Sequence, residues 1–434
     1  MAVTIPIIGL PYCNSEAQLL GDSIFYMKNH GMGMVFNGES VELPDLFSVI
    51  FYLIARFISP SPIVMHLFAM TFSALSIVIA YKFGKFFFSV QAGVIASSIM
   101  IVQNIFLAQS GLVLPTMMLN VCILGGMFFF YREKYHASTA LMCIAALTDI
   151  TGLLVSVFFL VAYYRIKYKE WTMRHNLMMA LPIALWFVYQ AISLSVCGQF
   201  SGRSCEFSMR NFVENAWFIF VAQHRWAMTA VLLSVLAVNT VNKNMLYFVK
   251  ELAWSGAAVL IVLMVTNSIH TSEQSWNLTP ISIMAIYTGC AISTLHTSYY
   301  SKYIVACAVI AASALSVTQR DSVSDAYVNY KSKVKVDIKT AELIKSKVNS
   351  NETILCDKYF NHYLTDKDFG YIDGTIIYKC VDGNSYTPAI KWSIYSSDTQ
   401  DTLTQLIRED PEFEKRNAIY IGNCTNEIYQ KKDK

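Results

Sequence analysis

Charge is what this sequence has least of. Only 15% of its 434 residues are Asp, Glu, Lys or Arg, while 55% are hydrophobic, and its mean hydropathy is +0.42. A soluble domain carries about a quarter charged residues, so this shortage excludes an ordinary water-soluble fold. The net charge is only +3, and the Lys and Arg sit in short clusters between apolar runs. No basic face is built, which removes nucleic acid as a partner. The ten cysteines include no Cys-x-x-Cys pair, so no zinc or dithiol redox motif is present. No clear internal repeat is visible either, which argues against a transporter built from repeated halves. Residues 1–10 are apolar, yet no basic residue precedes them and they are too short to span, so no signal peptide is expected there. The expectation is that either the first span is missing or the true start lies upstream.

What is present is a succession of apolar runs between two polar regions. The first polar region is residues 11–61, holding Glu16, Asp22, Glu39, Glu42 and Asp45 against Lys28 and Arg56. The second is the tail, residues 318–434, rich in Asp, Lys, Asn, Ser and Tyr. Between them the expected spans are Ile63–Tyr81, Gln91–Leu107, Val113–Tyr131, Ser138–Thr148, Ile150–Tyr164, Leu177–Val196, Phe218–Val241, Leu252–Ile269, Pro280–Leu295 and Tyr303–Val317. That makes about ten spans, or eleven with a complete first one, at about 20 residues per crossing. Leu141–Tyr164 also reads as one bent helix. The stretch Asp45–Ile58, stopped by Pro60 and Pro62, reads as an interfacial helix or a short entry to the membrane.

Orientation follows from the loops. Lys82 and Lys85, Arg132 and Lys134, Arg165, Lys167, Lys169 and Arg174, Lys243 and Lys250, and Lys302 fall in alternate loops. That side is expected to be cytoplasmic. Loop 11–61 and the tail are then extracytoplasmic, in a plasma or inner membrane if bacterial, or in endoplasmic reticulum if eukaryotic. Cys197 and Cys205 share one outer loop and Cys356, Cys380 and Cys424 share the tail. Disulfides and buried thiols are both compatible with that placement.

The tail reads as a small α/β unit. Ile338, Leu343, Ile344 and Val348 recur at helical spacing, with Asp337 as a cap. Thr353–Cys356 and Ala418–Ile421 fit buried strands, and Asp401–Arg408 fits another helix before Pro411. The tail carries no nucleotide-binding or nucleophile-elbow motif. The fold class is therefore an α-helical polytopic membrane protein with a C-terminal extracytoplasmic α/β domain.

Several segments together carry a family resemblance. Ser15-Glu16-Ala17 is followed by Phe36-Asn37-Gly38-Glu39, by Glu42-Leu43-Pro44-Asp45-Leu46 and by the span exit Tyr81-Lys82-Phe83-Gly84-Lys85. Ala146-Leu147-Thr148-Asp149-Ile150-Thr151-Gly152 adds a further segment. With one acidic first loop, many spans and an outer α/β tail, the chain resembles the GT-C superfamily of membrane glycosyltransferases. The likeness is to the branch holding the aminoarabinose transferases of lipid A and the protein O-mannosyltransferases.

The resemblance implies transfer of a sugar from a polyprenyl-phosphate donor to an extracytoplasmic glycan, lipid or protein. It implies a loop carboxylate as base, or as a ligand for metal or donor, and cations near the membrane surface for the lipid phosphate. It implies no cofactor with certainty, and a divalent metal remains open. Glu16 stands at the second acid of the family pair and Glu42 at the family's loop glutamate. Ser15 replaces the first acid, Leu43 a lysine and Asp45 a proline. Residues 108–116 lack the family's Arg and Asp, and no Arg-Tyr precedes the late spans near Trp276-Asn277. The alternative reading is a catalytically degenerate member of the same fold that binds lipid or protein partners.

Each remaining candidate has a plain structural reading beside the functional one. Asp45 and Asp22 fit helix caps. Asp149, between two apolar runs, is either a functional intramembrane-edge acid or a cap at a tight turn. His224-Arg225 is the leading cationic pair. If a span begins near Trp217, Arg225 lies about 12 Å inside it and needs a partner such as a lipid phosphate. If Trp217–Gln223 lies flat on the surface, Arg225 snorkels. Arg203 and Arg210, in an outer loop, are auxiliary phosphate ligands. His66 fits a histidine packed between helices. Trp226, Trp254 and Trp276 fit interfacial aromatic belts.

Overall fold

Long apolar runs punctuated by proline become helices here, because a helix satisfies its backbone groups within the segment. The computed structural model describes residues 20, 24, 27, 35–36, 41–167, 173–198, 208–222, 224, 226–241, 259–265, 277–295, 299–320, 323–347, 353–355, 379–381, 390–396, 408, 410–421 and 424–432. Two compact units are distinguished by contacts within the chain. The described residues of 45–47 and 67–323 form one, and those of 20–44, 48–66 and 324–432 form the other.

In chain order, β1 (Val35–Phe36) and β2 (Val41–Glu42) pair antiparallel, with Val35 opposite Glu42. Then come α1 (Leu46–Phe57), α2 (Pro62–Phe87), α3 (Val90–Ile101), α4 (Asn104–Gln109), α5 (Pro115–Tyr131) and α6 (Tyr135–Thr148). They are followed by α7 (Ile150–Lys167), α8 (Met173–Cys197), α9 (Met209–Trp217), a π-turn at Phe218–Ala222 and α10 (Ala227–Val241). After a helical stretch at 259–265 come α11 (Leu278–Thr294), α12 (Tyr299–Arg320) and α13 (Val323–Lys347). Pro62–Phe87 and His175–Cys197 are long and apolar enough to cross a membrane, and shorter apolar helices accompany them. Their outward faces carry exposed Leu67, Leu75 and Val78 on α2, and Leu181, Phe187, Val188 and Ile192 on α8. Contiguous apolar surface of this kind calls for a non-aqueous neighbour.

The helices break where hydropathy alone predicts continuity. The expected span Gln91–Leu107 is two helices, because Gln103 takes an extended backbone before α4. Its buried amide donates to Ile99 O at 3.1 Å and to Ser313 Oγ at 3.1 Å. Leu141–Tyr164 is two helices rather than one bent helix, divided at the extended residue Asp149. The expected span Phe218–Val241 opens with the π-turn, and its regular helix starts only at Ala227. The outer loop expected between Cys197 and Trp217 contains α9.

Within the first unit, α11 packs on α3 at Gly289. A Cβ there would sit 2.6 Å from Ala96 N, so the two backbones touch as small residues permit in membranes. A Cβ at Gly93 would meet Tyr81 O at 2.4 Å, fixing the α2–α3 turn in the same way. Buried polar side chains bridge elements: Asn120 Nδ2 donates to Ser76 Oγ at 3.0 Å, and Thr116 Oγ1 to Gln109 Oε1 at 2.6 Å.

The second unit holds a five-stranded sheet of β3 (Thr353–Leu355), β4 (Lys379–Val381), β5 (Ile390–Ser396), β6 (Phe413–Ile421) and β7 (Cys424–Lys431). The order is β4-β3-β5-β7-β6, with β3 parallel to both β4 and β5, and β7 antiparallel to both β5 and β6. Thr353–Leu355 is the expected strand. Ala418–Ile421 is a strand too, but an edge strand that is largely half-buried or exposed. Asp337 is no cap. It lies deep inside α13, buried, in an ion pair with Lys333 at 3.3 Å, and it accepts from Asn426 Nδ2 at 2.8 Å. Of the expected helix Asp401–Arg408, only Arg408 falls among the described residues.

Candidate functional site

Among the described residues of the first unit, those between Ser208 and Thr229 depart furthest from regular helix. Ser208 starts α9, its hydroxyl accepting from Asn211 N at 3.4 Å. After Trp217 the helix widens into the π-turn, and such turns concentrate at functional positions. Trp226 has φ +67°, a left-handed backbone that costs a bulky L-residue about 1–3 kcal/mol. A break of this kind frees carbonyls that need donors. Thr229 Oγ1 donates to Phe220 O at 2.6 Å, and His224 Nε2 donates to Ile219 O at 2.8 Å. The end of α9 is tied to the start of α11 by Asn277, buried, whose Nδ2 donates to Asn215 Oδ1 at 2.8 Å.

His224 is the chemically open group. Its ring is buried, and Nδ1 has no hydrogen-bond partner among the described residues. With Nε2 bound as a donor, a neutral ring presents Nδ1 as an acceptor for a hydroxyl. A protonated ring presents it as a donor for an anionic oxygen. Arg210 lies on the same segment but is exposed and paired with Glu214, Nε to Oε1 at 2.8 Å.

The other sequence candidates are spread out. Glu16, Arg203 and Arg225 lie outside the described residues. Glu42 ends the β2 strand, opposite Val35. Asp45 directly precedes α1 and is partly buried. Asp149 does what a cap does: it separates α6 from α7, and its Oδ1 accepts from Thr151 N at 2.7 Å. His66 is buried in α2. Among the described residues no three His, Cys, Asp or Glu side chains converge on a cation. Cys197 is a free thiol, while Cys205 and Cys356 lie outside the described residues.

One cluster was missed by sequence reasoning. On the second unit's sheet, the buried carboxylate of Glu427 accepts from Tyr429 Oη at 2.7 Å and from Lys415 Nζ, and Arg408 Nε lies 3.3 Å from it. Arg408 also stacks over Tyr395, 5.0 Å from the ring centroid. The Glu-x-Tyr alternation was the visible signal for one face of a strand. Its cationic partners sit on other segments.

No protein-family model matches the chain, and no curated protein matches it by sequence. Comparison of structures gives a different result. The crystal structure of ArnT from Cupriavidus metallidurans bound to undecaprenyl phosphate matches with TM-score 0.58 at 10% identity. The match covers 98% of this chain and 95% of that one. The apo structure of the same protein matches with TM-score 0.59 at 11% identity, over the same shares of both chains. At such identity the likeness concerns the fold. Over nearly its whole length, this chain shares the fold of those ArnT structures in a divergent sequence.

Proposed function

We propose that the protein transfers a sugar from a polyprenyl-phosphate donor to an extracytoplasmic glycan, lipid or protein. The observation that carries this reading is the fold match over 98% of the chain to a protein crystallised with undecaprenyl phosphate. In this reading loop 11–61 and the tail share the extracytoplasmic side. The acceptor oxygen attacks the anomeric carbon, the bond to the lipid phosphate breaks, and the phosphate leaves as an anion. Glu16 takes the acceptor's proton, because Ser15 beside it is not basic at neutral pH, and Glu42 orders the loop that carries it. Arg225 and His224 receive the phosphate, with Arg203 and Arg210 as auxiliary cations. With its ring protonated, His224 suits that role, because Nδ1 is then an uncommitted donor beside a strained break.

The test is transfer from a labelled polyprenyl-phosphate sugar by the full-length protein in reconstituted membranes. Glu16→Gln is expected to lower the rate by about 10²–10⁴. Equal rates for wild type and Glu16→Gln would remove Glu16 as the base. A second reading is favoured by one observation, the serine where the family pair has its first acid. It is a GT-C-fold protein that binds the lipid without catalysis. Retained lipid with no transfer from any donor would establish it.

A further inference from the structure

Among the described residues, nothing covers the outward face of α9. Met209, Val213 and Trp217 recur at i, i+4 and i+8 and are 65%, 59% and 56% exposed. No residue of this helix is buried. The inner arc, Asn211, Phe212, Asn215 and Ala216, is partly buried, and Asn215 is held by Asn277. The outer arc has two sectors. One is apolar, made by Met209, Val213 and Trp217. The other, rotated toward the side, is the exposed Arg210–Glu214 ion pair. Trp226 extends the apolar sector: it is 53% exposed, and its ring meets Trp217 edge to face at 6.1 Å between centroids.

A water-facing helix would not display three large apolar residues in register next to its charged pair. An apolar sector flanked by a charged one, with tryptophan at its end, is the pattern of a helix lying in a membrane interface. Chain continuity points the same way. The preceding helix, α8, exposes Ile192, Leu194 and Val196 up to its C-terminal end. The apolar α10 exposes Leu233 just beyond the break. We infer that α9 is an interfacial helix. Its Met209–Val213–Trp217 stripe and Trp226 are seated at the acyl–headgroup boundary of the bilayer, and the Arg210–Glu214 pair stays at headgroup level. The occupant of this face is lipid, not a second protein chain. The inference rests on the membrane reading above, not on any transfer activity. It also gives the left-handed Trp226 a purpose, since that turn brings its ring back beside Trp217 at the same depth.

The test uses the full-length protein in nanodiscs containing phosphatidylcholine brominated at shallow or deep acyl positions. Tryptophan quenching is compared between wild type, Trp217→Phe and Trp226→Phe. The expected result is that each variant loses a component quenched by shallow bromines, while aqueous iodide quenching is unchanged. If the lost component is instead quenched by iodide and not by bromolipid, the face is in water and the inference fails. If neither quencher reaches it, and Val213→Asp converts a dimer to a monomer, the face is a protein interface and the inference also fails. Phenylalanine keeps the packing at both positions, and recovery of monodisperse protein verifies the fold. Transfer or lipid retention measured on the same nanodiscs reports separately on the proposed function. Its loss with bromolipid quenching intact leaves α9 at the interface.

Discussion

Replacing Glu427 with glutamine removes a charge while keeping its shape. Tyr429 Oη can still donate to the amide oxygen, so the loss falls on Lys415 and Arg408. Those cations are 40% and 47% exposed, so water takes back part of the pairing energy. Exposed ion pairs contribute about 0.2–1 kcal/mol, and hydrogen bonds to charged groups about 1.5–3 kcal/mol. A buried acid with half-exposed partners falls between, at about 1–2 kcal/mol, a factor of roughly 5–30 in the opening equilibrium. Burial alone would push the Glu427 carboxyl up. The hydrogen bonds from Lys415 and Tyr429, and the charges of Lys415 and Arg408, outweigh it and hold the group below the usual carboxylate range. Its stabilisation is therefore complete above the unfolded value of about 4.3. It disappears as pH falls through the lower folded value.

The assay is hydrogen exchange of the β6 and β7 amides in the full-length protein in nanodiscs, with wild type and Glu427→Gln compared at each pH. At pH 7 the variant should exchange roughly 5–30 times faster. As pH falls below about 4.3 the ratio should shrink, and the two should converge once pH is below the lower folded value, where the wild-type carboxyl is protonated as well. A ratio near one at pH 7, or one that persists unchanged at pH 3, refutes the charge-pair account. Tyr429 supplies the opposite limb. Burial, then the Glu427 bond and charge, push its hydroxyl up to about 12, so its contribution is present below the unfolded value near 10 and is lost as pH rises through the folded one.

Gly289→Leu forces a side chain into Ala96 backbone at 2.6 Å. It should cost about 1–3 kcal/mol, read as a lower midpoint for detergent-induced unfolding; an unchanged midpoint contradicts the α3–α11 contact. Arg225→Ala should weaken retention of polyprenyl phosphate by roughly 10–100-fold, the equivalent of one lost charged hydrogen-bond set. Lysine should rescue only part, because the fork is lost, and full retention in the alanine variant removes Arg225 from the site. A cysteine engineered in the tail should react with an impermeant reagent from outside, while one in the Tyr168 loop should not. The reverse pattern overturns the orientation.

What the sequence disclosed, and what it hid, divides by the range of the interaction. Helix existence was legible because apolar content and proline act within one segment: Pro62 and Pro115 start α2 and α5 near the expected limits. Helix breaks were not, because their causes lie elsewhere in the chain. Gln103 leaves its helix with its amide bonded to Ser313, 210 residues on, and hydropathy averaged over a span cannot register one inward-turned amide. Asp337 looked like a cap because its neighbours allow that role, yet its buried partner Asn426 is 89 residues away. The Glu427 cluster needs two strands in register before its charges meet. Helix α9 is the instructive contrast, since Ser208 and the Met209–Val213–Trp217 spacing were local and readable. They were masked by the polar character of a loop that also holds Arg203 and Arg210. An interfacial helix carries as much polar as apolar surface by construction, so a search for spans passes over the element that lies along the membrane surface. At His224 the sequence and the structure single out the same segment for different reasons. In the sequence, the pointer was the depth of the neighbouring Arg225; the structure contributes a broken helix whose freed carbonyl holds one ring nitrogen and leaves the other without a partner among the described residues. That nitrogen makes the segment able to meet either a hydroxyl or a phosphate oxygen, so the Glu16 and Arg225 variants together separate catalysis from lipid binding.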